Sequence, residues 1–314
     1  MMSTTNNHVV LGSTGVVGRE TVSALAAAGL PVTGVSRSGG SAGGAHGAVA
    51  TSAADLRNPE EVAAVLDGAS VAYLTVGLPY ALKTWQADWP RVVRSAIDGC
   101  LAGGTHLVYF DNVYAYGASE GPMTESTPVR ASSKKGELRA SLLTLLDDAR
   151  GRGLEVTVGR SADFYGPGAA TSVFNGFAID RIRAGKKPTW LFDAQLPHSM
   201  TFTPDIGRAL ALLGTEHDAR GGVWHLPTAP ALTGAQYLEL AGAQKYAVMS
   251  AATMRIGALF SGAAREALEM AYQNTAPYIF DSSAFEREFG IGPTPYAEGI
   301  AATLAHGSSA PTAR

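Results

Sequence analysis

The feature that most constrains this chain lies near its start. The short run His8-Val9-Val10-Leu11 passes directly into Gly12-Ser13-Thr14-Gly15-Val16-Val17-Gly18, and a helical pattern continues from Val17 to Ala28. A strand, a glycine turn and a helix in immediate succession leave few architectures open. Glycines permit the tight turn and let backbone N–H groups approach an anion, whose charge is favoured at a helix N-terminus. The spacing is G-x-x-G-x-x-G rather than G-x-G-x-x-G, and a plain strand-to-helix turn is the alternative reading. The strand before and the helix after supply the context that a dinucleotide loop requires. Gly12, Ser13, Thr14, Gly15, Val16, Val17 and Gly18 are therefore candidate cofactor contacts.

Downstream, short apolar runs alternate with longer Ala/Leu-rich stretches of helical period. Strands are read at Val32 to Val35, Val49 to Thr51, Val71 to Thr75, Leu107 to Phe110 and Glu155 to Val158. Helices are read from Trp85 to Leu101 and from Lys134 to Ala149, and a further one starts at Asn58-Pro59-Glu60-Glu61 with an N-cap, a first-turn proline and a carboxylate at N3. This alternation predicts an α/β chain, a Rossmann-type doubly wound parallel sheet. It weakens after Gly166 and returns at Asp205 to Leu213 and Gly222 to Leu226. The expected domains are residues 1–165 with about 203–226 for the dinucleotide, a smaller interleaved C-terminal substrate lobe over 166–202 and 227–306 with a cleft between the two, and a flexible tail over 307–314. Ser38 to Gly44 reads as a flexible loop.

Composition agrees. Charged residues make up 16% of the chain and glycine occurs 37 times, below the ~25% charged and above the ~7% glycine of an average globular protein. That mixture suits buried parallel strands joined by glycine turns. The formal charge is -3 with no long run of one sign, so nucleic acid and anionic membrane surfaces have no electrostatic support as partners. Cys100 is the single cysteine, which excludes an intrachain disulfide and a thiolate metal cage. The scattered histidines lack metal-ligand spacing, so no metal site is expected. A cytoplasmic protein is the expectation, since the polar start and brief first strand fit neither a signal peptide nor a membrane span.

Further candidates sit at strand ends. The second strand ends in Val35-Ser36-Arg37-Ser38, where an NAD-binding fold usually carries an acid for the ribose 2′-hydroxyl. Arginine beside that place can fork onto a 2′-phosphate, so Ser36 and Arg37 point to NADP, and NADPH is preferred over NADH. A solvated surface arginine is the plain alternative. Asp55 and Leu56 could hold the adenine edge. Thr75, Val76 and Gly77 could let the cofactor ribose pass the backbone.

The glycine loop, Asp55-Leu56, Asn112-Val113-Tyr114-Ala115-Tyr116-Gly117, Lys135 and Arg160-Ser161-Ala162-Asp163-Phe164-Tyr165-Gly166-Pro167-Gly168 together resemble the extended short-chain dehydrogenase/reductase family of NAD-dependent epimerases and dehydratases. The likeness runs down to Thr203-Pro204-Asp205 and Val223-Trp224-His225. It implies a Ser/Thr, Tyr and Lys triad in which tyrosine exchanges a proton with the substrate and lysine holds the nicotinamide ribose. Lys135 matches the lysine, Asn112 stands at the Ser/Thr position, and Ala131 stands where tyrosine is expected. Alanine cannot donate a proton, so this is an atypical member unless another residue serves. Tyr114, Tyr116 and Tyr165 are the candidates. Asp163 replaces the family's asparagine in the segment that passes the nicotinamide, with Phe164 beside it, and the added charge disfavours a diphosphate substrate. Asp111 and His198 are further candidate acids or bases. Phe174, with Phe177, Trp190, Phe192 and Met200, suggests an apolar substrate pocket.

These residues lead to an NADP(H)-dependent oxidoreductase for a small, fairly apolar carbonyl or unsaturated compound. A redox-sensing module that binds the dinucleotide without turnover remains open, as does a non-redox isomerase, lyase or cyclase using Asp111, Asp163 or His198. The resemblance also implies a homodimer.

Overall fold

A computed structural model describes residues 7–40 and 49–307. Residues 41–44 of the glycine loop and 308–314 of the tail lie outside the described residues. The chain divides into two compact units, the first comprising Met1–Gly117, Val129–Ser161 and Ile206–Leu226 and the second Ala118–Pro128, Ala162–Asp205 and Pro227–Arg314.

The first unit is a seven-stranded parallel sheet. Its strands are β1 (His8–Leu11), β2 (Val32–Ser36), β3 (Ala50–Ala53), β4 (Val71–Leu74), β5 (His106–Asn112), β6 (Val156–Ser161) and a last strand, Val223–His225. From one edge the order is the last strand, β6, β5, β4, β1, β2, β3, so the order reverses at β1, which lies between β2 and β4 in matched register. Ligands of open α/β sheets bind beyond the carboxyl ends of the strands at such a reversal. Four helices follow strands: α1 (Val16–Ala27), α2 (Pro59–Leu66), α3 (Leu82–Gly103) and α4 (Lys134–Gly151).

Alternation along the strands sends side chains to both faces. Val9, Leu11, Ala72 and Leu74 join a core built with Val62, Leu66, Trp89, Val93, Leu142 and Leu146 of α2, α3 and α4. Tyr73, on the opposite face, occupies the space that a side chain at Gly214 would need. The helix Thr203–Thr215 also lies tightly on α1, because a Cβ at Gly207 would run into Glu20.

Side-chain caps set the starts of two of the four helices α1 to α4. Asn58 accepts the Glu60 N–H at 3.1 Å and donates to Glu61 at 2.8 Å. Ser133 accepts from the Gly136 N–H at 3.0 Å and fixes the start of α4. By contrast α3 begins at Leu82, three residues before the expected Trp85, and its N-cap Ala81 has no side chain to mark the place. β5 and β6 run further than their apolar cores, to Asn112 and Ser161, which pairs Asp111 with Arg160 and Asn112 with Ser161.

The second unit holds two- and three-residue strands. Asp163–Tyr165 pairs with Met200–Phe202, Thr189–Leu191 with Ala247–Met249, and Pro197–His198 with Leu232–Thr233. Its core is aromatic, with Tyr165, Phe174, Trp190, Phe202, Tyr237 and Tyr296 in one cluster. Among the described residues no helix is long and apolar enough to cross a membrane.

Two buried histidines near the amino ends of the strands make the fold sensitive to acid. Burial lowers His8 below its ordinary value, and it lowers His106 from 6.5 to about 4. The unfolded chain therefore takes up protons first as pH falls, so the stability held by neutral His106 is complete above about pH 6.5 and lost on descent towards pH 4. That contribution is worth roughly 3 kcal/mol, at ~1.4 kcal/mol per pH unit of separation. The urea midpoint is expected to fall between about pH 7.5 and about pH 4.5. In His106→Gln, which can keep a hydrogen bond to Thr157 (2.8 Å in the native chain), the fall should be smaller; an unchanged fall would assign it to other groups.

Candidate active site

The glycine loop is shaped by backbone contacts. Gly12 has φ 95°, and a Cβ there would lie 2.5 Å from the Val76 Cα. A Cβ at Gly18 would collide with the Gly12 carbonyl, so glycine lets α1 sit close to the strand. Gly15 differs: its φ is -70°, and one atom, the Gly12 oxygen at 3.2 Å, lies within 4 Å of its would-be Cβ. It is also the N-cap of α1 and brings no side chain to the first-turn N–H groups. Those donors and the helix dipole are arranged for an anion. The Ser13 hydroxyl is buried without a hydrogen-bond partner among the described residues. Thr14 is exposed, Val16 is half-buried and Val17 is buried.

At the end of β2 the Ser36 hydroxyl is likewise buried without a partner among the described residues, and the exposed Arg37 follows it. Asp55 is committed locally: the Arg57 guanidinium grips it with contacts of 2.9 and 2.6 Å, which holds its carboxyl down at about 2. Leu56 packs in the core. The Thr75 hydroxyl donates to the Leu11 carbonyl at 3.2 Å; Val76 is half-buried against the core and Gly77 is exposed.

Around the carboxyl end of β5 the side chains form a layered cluster. Lys135, in the first turn of α4, is fully buried, and its Nζ lies 4.8 Å from the ring centroid of Tyr80. A cation at a helix N-terminus opposes the helix dipole. The Tyr80 and Tyr114 hydroxyls approach to 3.5 Å. Trp85 meets Tyr80 edge-on at 5.4 Å and stacks on Tyr114 at 6.2 Å. Asn112 accepts the Tyr114 N–H at 3.0 Å, so its carbonyl closes the turn.

Below this layer is a buried ion network. Arg160 donates twice to one oxygen of Asp111, at 3.0 and 2.9 Å, and Arg139 stands 3.7 Å from the other. Arg139 also donates to Tyr109 at 2.7 Å and lies over the Trp89 ring at 4.3 Å. Arg160 donates to the Tyr116 hydroxyl at 2.6 Å, which is in turn 2.8 Å from His225 Nε2. Asp111, expected as an acid or base, is thus held as an ion-pair partner. Tyr116 is buried and engaged on two sides.

In the second unit His198 Nε2 lies 3.0 Å from Asp163 Oδ2 and its ring stacks on Tyr278 at 4.4 Å. His198 is buried, while about a third of the Asp163 side chain (32%) is exposed. Phe164 is half-buried beside it. Tyr165 sits in the aromatic core against Phe202 at 5.3 Å, its hydroxyl lacking a hydrogen-bond partner among the described residues and pushed up in pKa by burial. Phe174, Trp190 and Met200 belong to that core. Of the three tyrosines expected as proton donors, Tyr114 alone is half-exposed. In the sequence Arg160 figures only as the first residue of the Arg160–Gly168 segment, and neither it nor Tyr80 or Arg139 reads there as a site residue. Charged residues abutting continuously apolar strands were the signal for Arg160, and no local pattern singled out Tyr80. Among the described residues no group of three His, Cys, Asp or Glu side chains could hold a metal ion.

A model of the NAD dependent epimerase/dehydratase family matches residues 8–224. No curated protein matches the chain. Solved structures with similar folds include a UDP-N-acetylglucosamine 4-epimerase from Bacillus cereus, 14% identical with a TM-score of 0.76 over 98% of both chains. A UDP-glucose 4-epimerase from Thermotoga maritima, solved with UDP-glucose, is 18% identical with a TM-score of 0.77 over 96% of this chain and 98% of its own. A dTDP-glucose 4,6-dehydratase from Streptomyces venezuelae, solved with NAD and TYD bound, is 18% identical with a TM-score of 0.76 over 95% of each.

The glycines should separate by role. Gly12→Ala places a Cβ against Val76 in a left-handed backbone and is expected to cost about 2 kcal/mol or more of stability. Gly15→Ala suits its extended backbone, but its Cβ would press on the Gly12 carbonyl at 3.2 Å and alanine caps a helix less well than glycine, so a smaller loss of about 1 kcal/mol or less is expected. Equal losses at both positions would contradict this assignment.

Proposed function

This chain belongs to the NAD-dependent epimerase/dehydratase family, and we propose that it is an NADP(H)-dependent oxidoreductase acting on a small, fairly apolar carbonyl or unsaturated compound. The observation that carries the reading is the pairing of an uncapped helix N-terminus behind a glycine cradle with a fully buried lysine, Lys135. The unpartnered Ser13 and Ser36 hydroxyls add polar atoms suited to a phosphorylated ligand.

When bound, the dinucleotide supplies a hydride. The Gly12–Gly18 loop would hold its pyrophosphate and Lys135 its nicotinamide ribose. Tyr114 would donate a proton to the substrate oxygen, in the role that Ala131 cannot fill. Among the described residues of the first unit three buried cations, Lys135, Arg139 and Arg160, stand against one buried carboxylate, Asp111; this excess favours negative charge developing nearby. The Asp163–His198 pair is assigned to substrate recognition. Its half-buried carboxylate opposes a diphosphate, which sets the expected substrate apart from the nucleotide sugars named for the solved relatives.

The preference for NADP rests on Ser36 and Arg37. No acid follows β2 to meet a ribose 2′-hydroxyl, and the exposed guanidinium is suited to a 2′-phosphate. A non-redox isomerase or lyase is the second reading, favoured by the 3.0 Å Asp163–His198 contact; product formed without NADPH and lost in Asp163→Asn would support it.

Thermal unfolding with each nicotinamide cofactor tests the first reading. NADPH at about 100 times its dissociation constant should stabilise the fold by roughly 2.7 kcal/mol, a shift of a few degrees. Arg37→Ala should weaken NADPH binding far more than NADH binding, and equal losses would remove the assigned role of Arg37.

A further inference from the structure

We propose that Tyr80 resupplies Tyr114 with its proton, and that the buried Lys135 ammonium stabilises the charge left on Tyr80 as it does so. The inference rests on the reductase reading above and adds a second tyrosine to it. Tyr80 lies in the connection between β4 and α3, beyond the carboxyl end of a strand next to β5, from which Tyr114 departs.

Three observations converge on the pair. The two hydroxyl oxygens are 3.5 Å apart, longer than a formed O–H···O bond and within the distance that tightens when substrate binds. Trp85 contacts both rings, edge-on to Tyr80 and nearly parallel to Tyr114 with an interplanar angle of 17°, so one indole sets their relative position. The Lys135 ammonium lies over the Tyr80 ring, and a nearby cation favours the ionised phenol. Tyr80 is also 45% exposed, which gives it access to water.

In the reduction the hydride for the substrate carbon would come from the bound dinucleotide, and the chain's own residues would move the proton. The Tyr114 O–H bond breaks as an O–H bond forms on the substrate oxygen. The Tyr80 O–H bond then breaks as that of Tyr114 reforms, and Tyr80 recovers its proton from water. Tyr80 acts through Tyr114, so it is a positioning and relay residue that does not touch substrate.

Ultraviolet difference titration of the cofactor-free protein tests the electrostatic half. Wild type should show one tyrosine ionising at lower pH than the rest; Tyr80→Phe should remove that signal, and Lys135→Met should move it to higher pH. A wild-type curve with no early-ionising tyrosine, or an early phase that persists in Tyr80→Phe with the amplitude lost from the later phase instead, overturns the proposal. With a substrate in hand, Tyr80→Phe should lower kcat about 10- to 100-fold, leave KM unchanged and shift the pH profile of kcat, whereas Tyr114→Phe should remove turnover. An unaltered kcat in Tyr80→Phe overturns the relay. Absence of turnover with every carbonyl and enone tried would instead count against the reductase reading, while the titration still decides the coupling of Tyr80 to Lys135.

Discussion

The carboxylate of Asp111 is the point on which the site is built. Asp111 and Arg160 are register partners on adjacent parallel strands, so the two charges meet at the carboxyl ends of β5 and β6 without any loop having to bring them together. Burying both is costly, and two hydrogen bonds to one oxygen together with Arg139 near the other offset much of that cost. Deleting one member would leave an uncompensated buried charge, which typically costs about 3–5 kcal/mol, roughly a fifth or more of a domain's whole stability. Arg160 extends the restraint through Tyr116 to His225 on the last strand. The turn that carries Tyr114 is therefore tied to three strands.

That network also explains why the cations nearby tolerate burial. Arg139 is covered on its flat face by Trp89 and Trp85, at 4.3 and 5.3 Å, contacts that recover part of the hydration a guanidinium loses. Lys135 has a harder position, buried in the first turn of α4 where the dipole disfavours it. It lies over the Tyr80 ring, a contact that offsets part of the hydration its ammonium loses.

Much of the first unit was legible because its signals are local. The strand, glycine turn and helix from His8 to Ala28 read directly, as did the Asn58 cap and the Ser133 start of α4. The carboxyl ends of β5 and β6 were not legible, since Asp111, Asn112 and Arg160 are poor strand residues on propensity alone and become strand only by pairing with each other. Tyr80 was invisible for a similar reason: its neighbours, Lys135 and Tyr114, lie 34 or more residues away in sequence. The tyrosines that did read as candidates divide by burial, which no short-range pattern reports. In the second unit strands of two and three residues are too short for periodicity to register, and the aromatic core there looked like a pocket because core and pocket draw on the same residue types.

A change in the proton donor is easier to accommodate in this framework than elsewhere in the chain. Ala131, where the resemblance would place the tyrosine, precedes the N-cap Ser133 and so lies outside α4, where no helical register ties it to Lys135. Tyr80 and Tyr114, by contrast, flank one indole, Trp85, whose helix is packed against α2 and α4 by the buried residues of the main core. A phenol presented from such rigid surroundings loses little conformational freedom when it meets a substrate. Under the proposed reading, proton chemistry carried at the ends of β4 and β5 would leave Lys135 in place and change only the ring beside it.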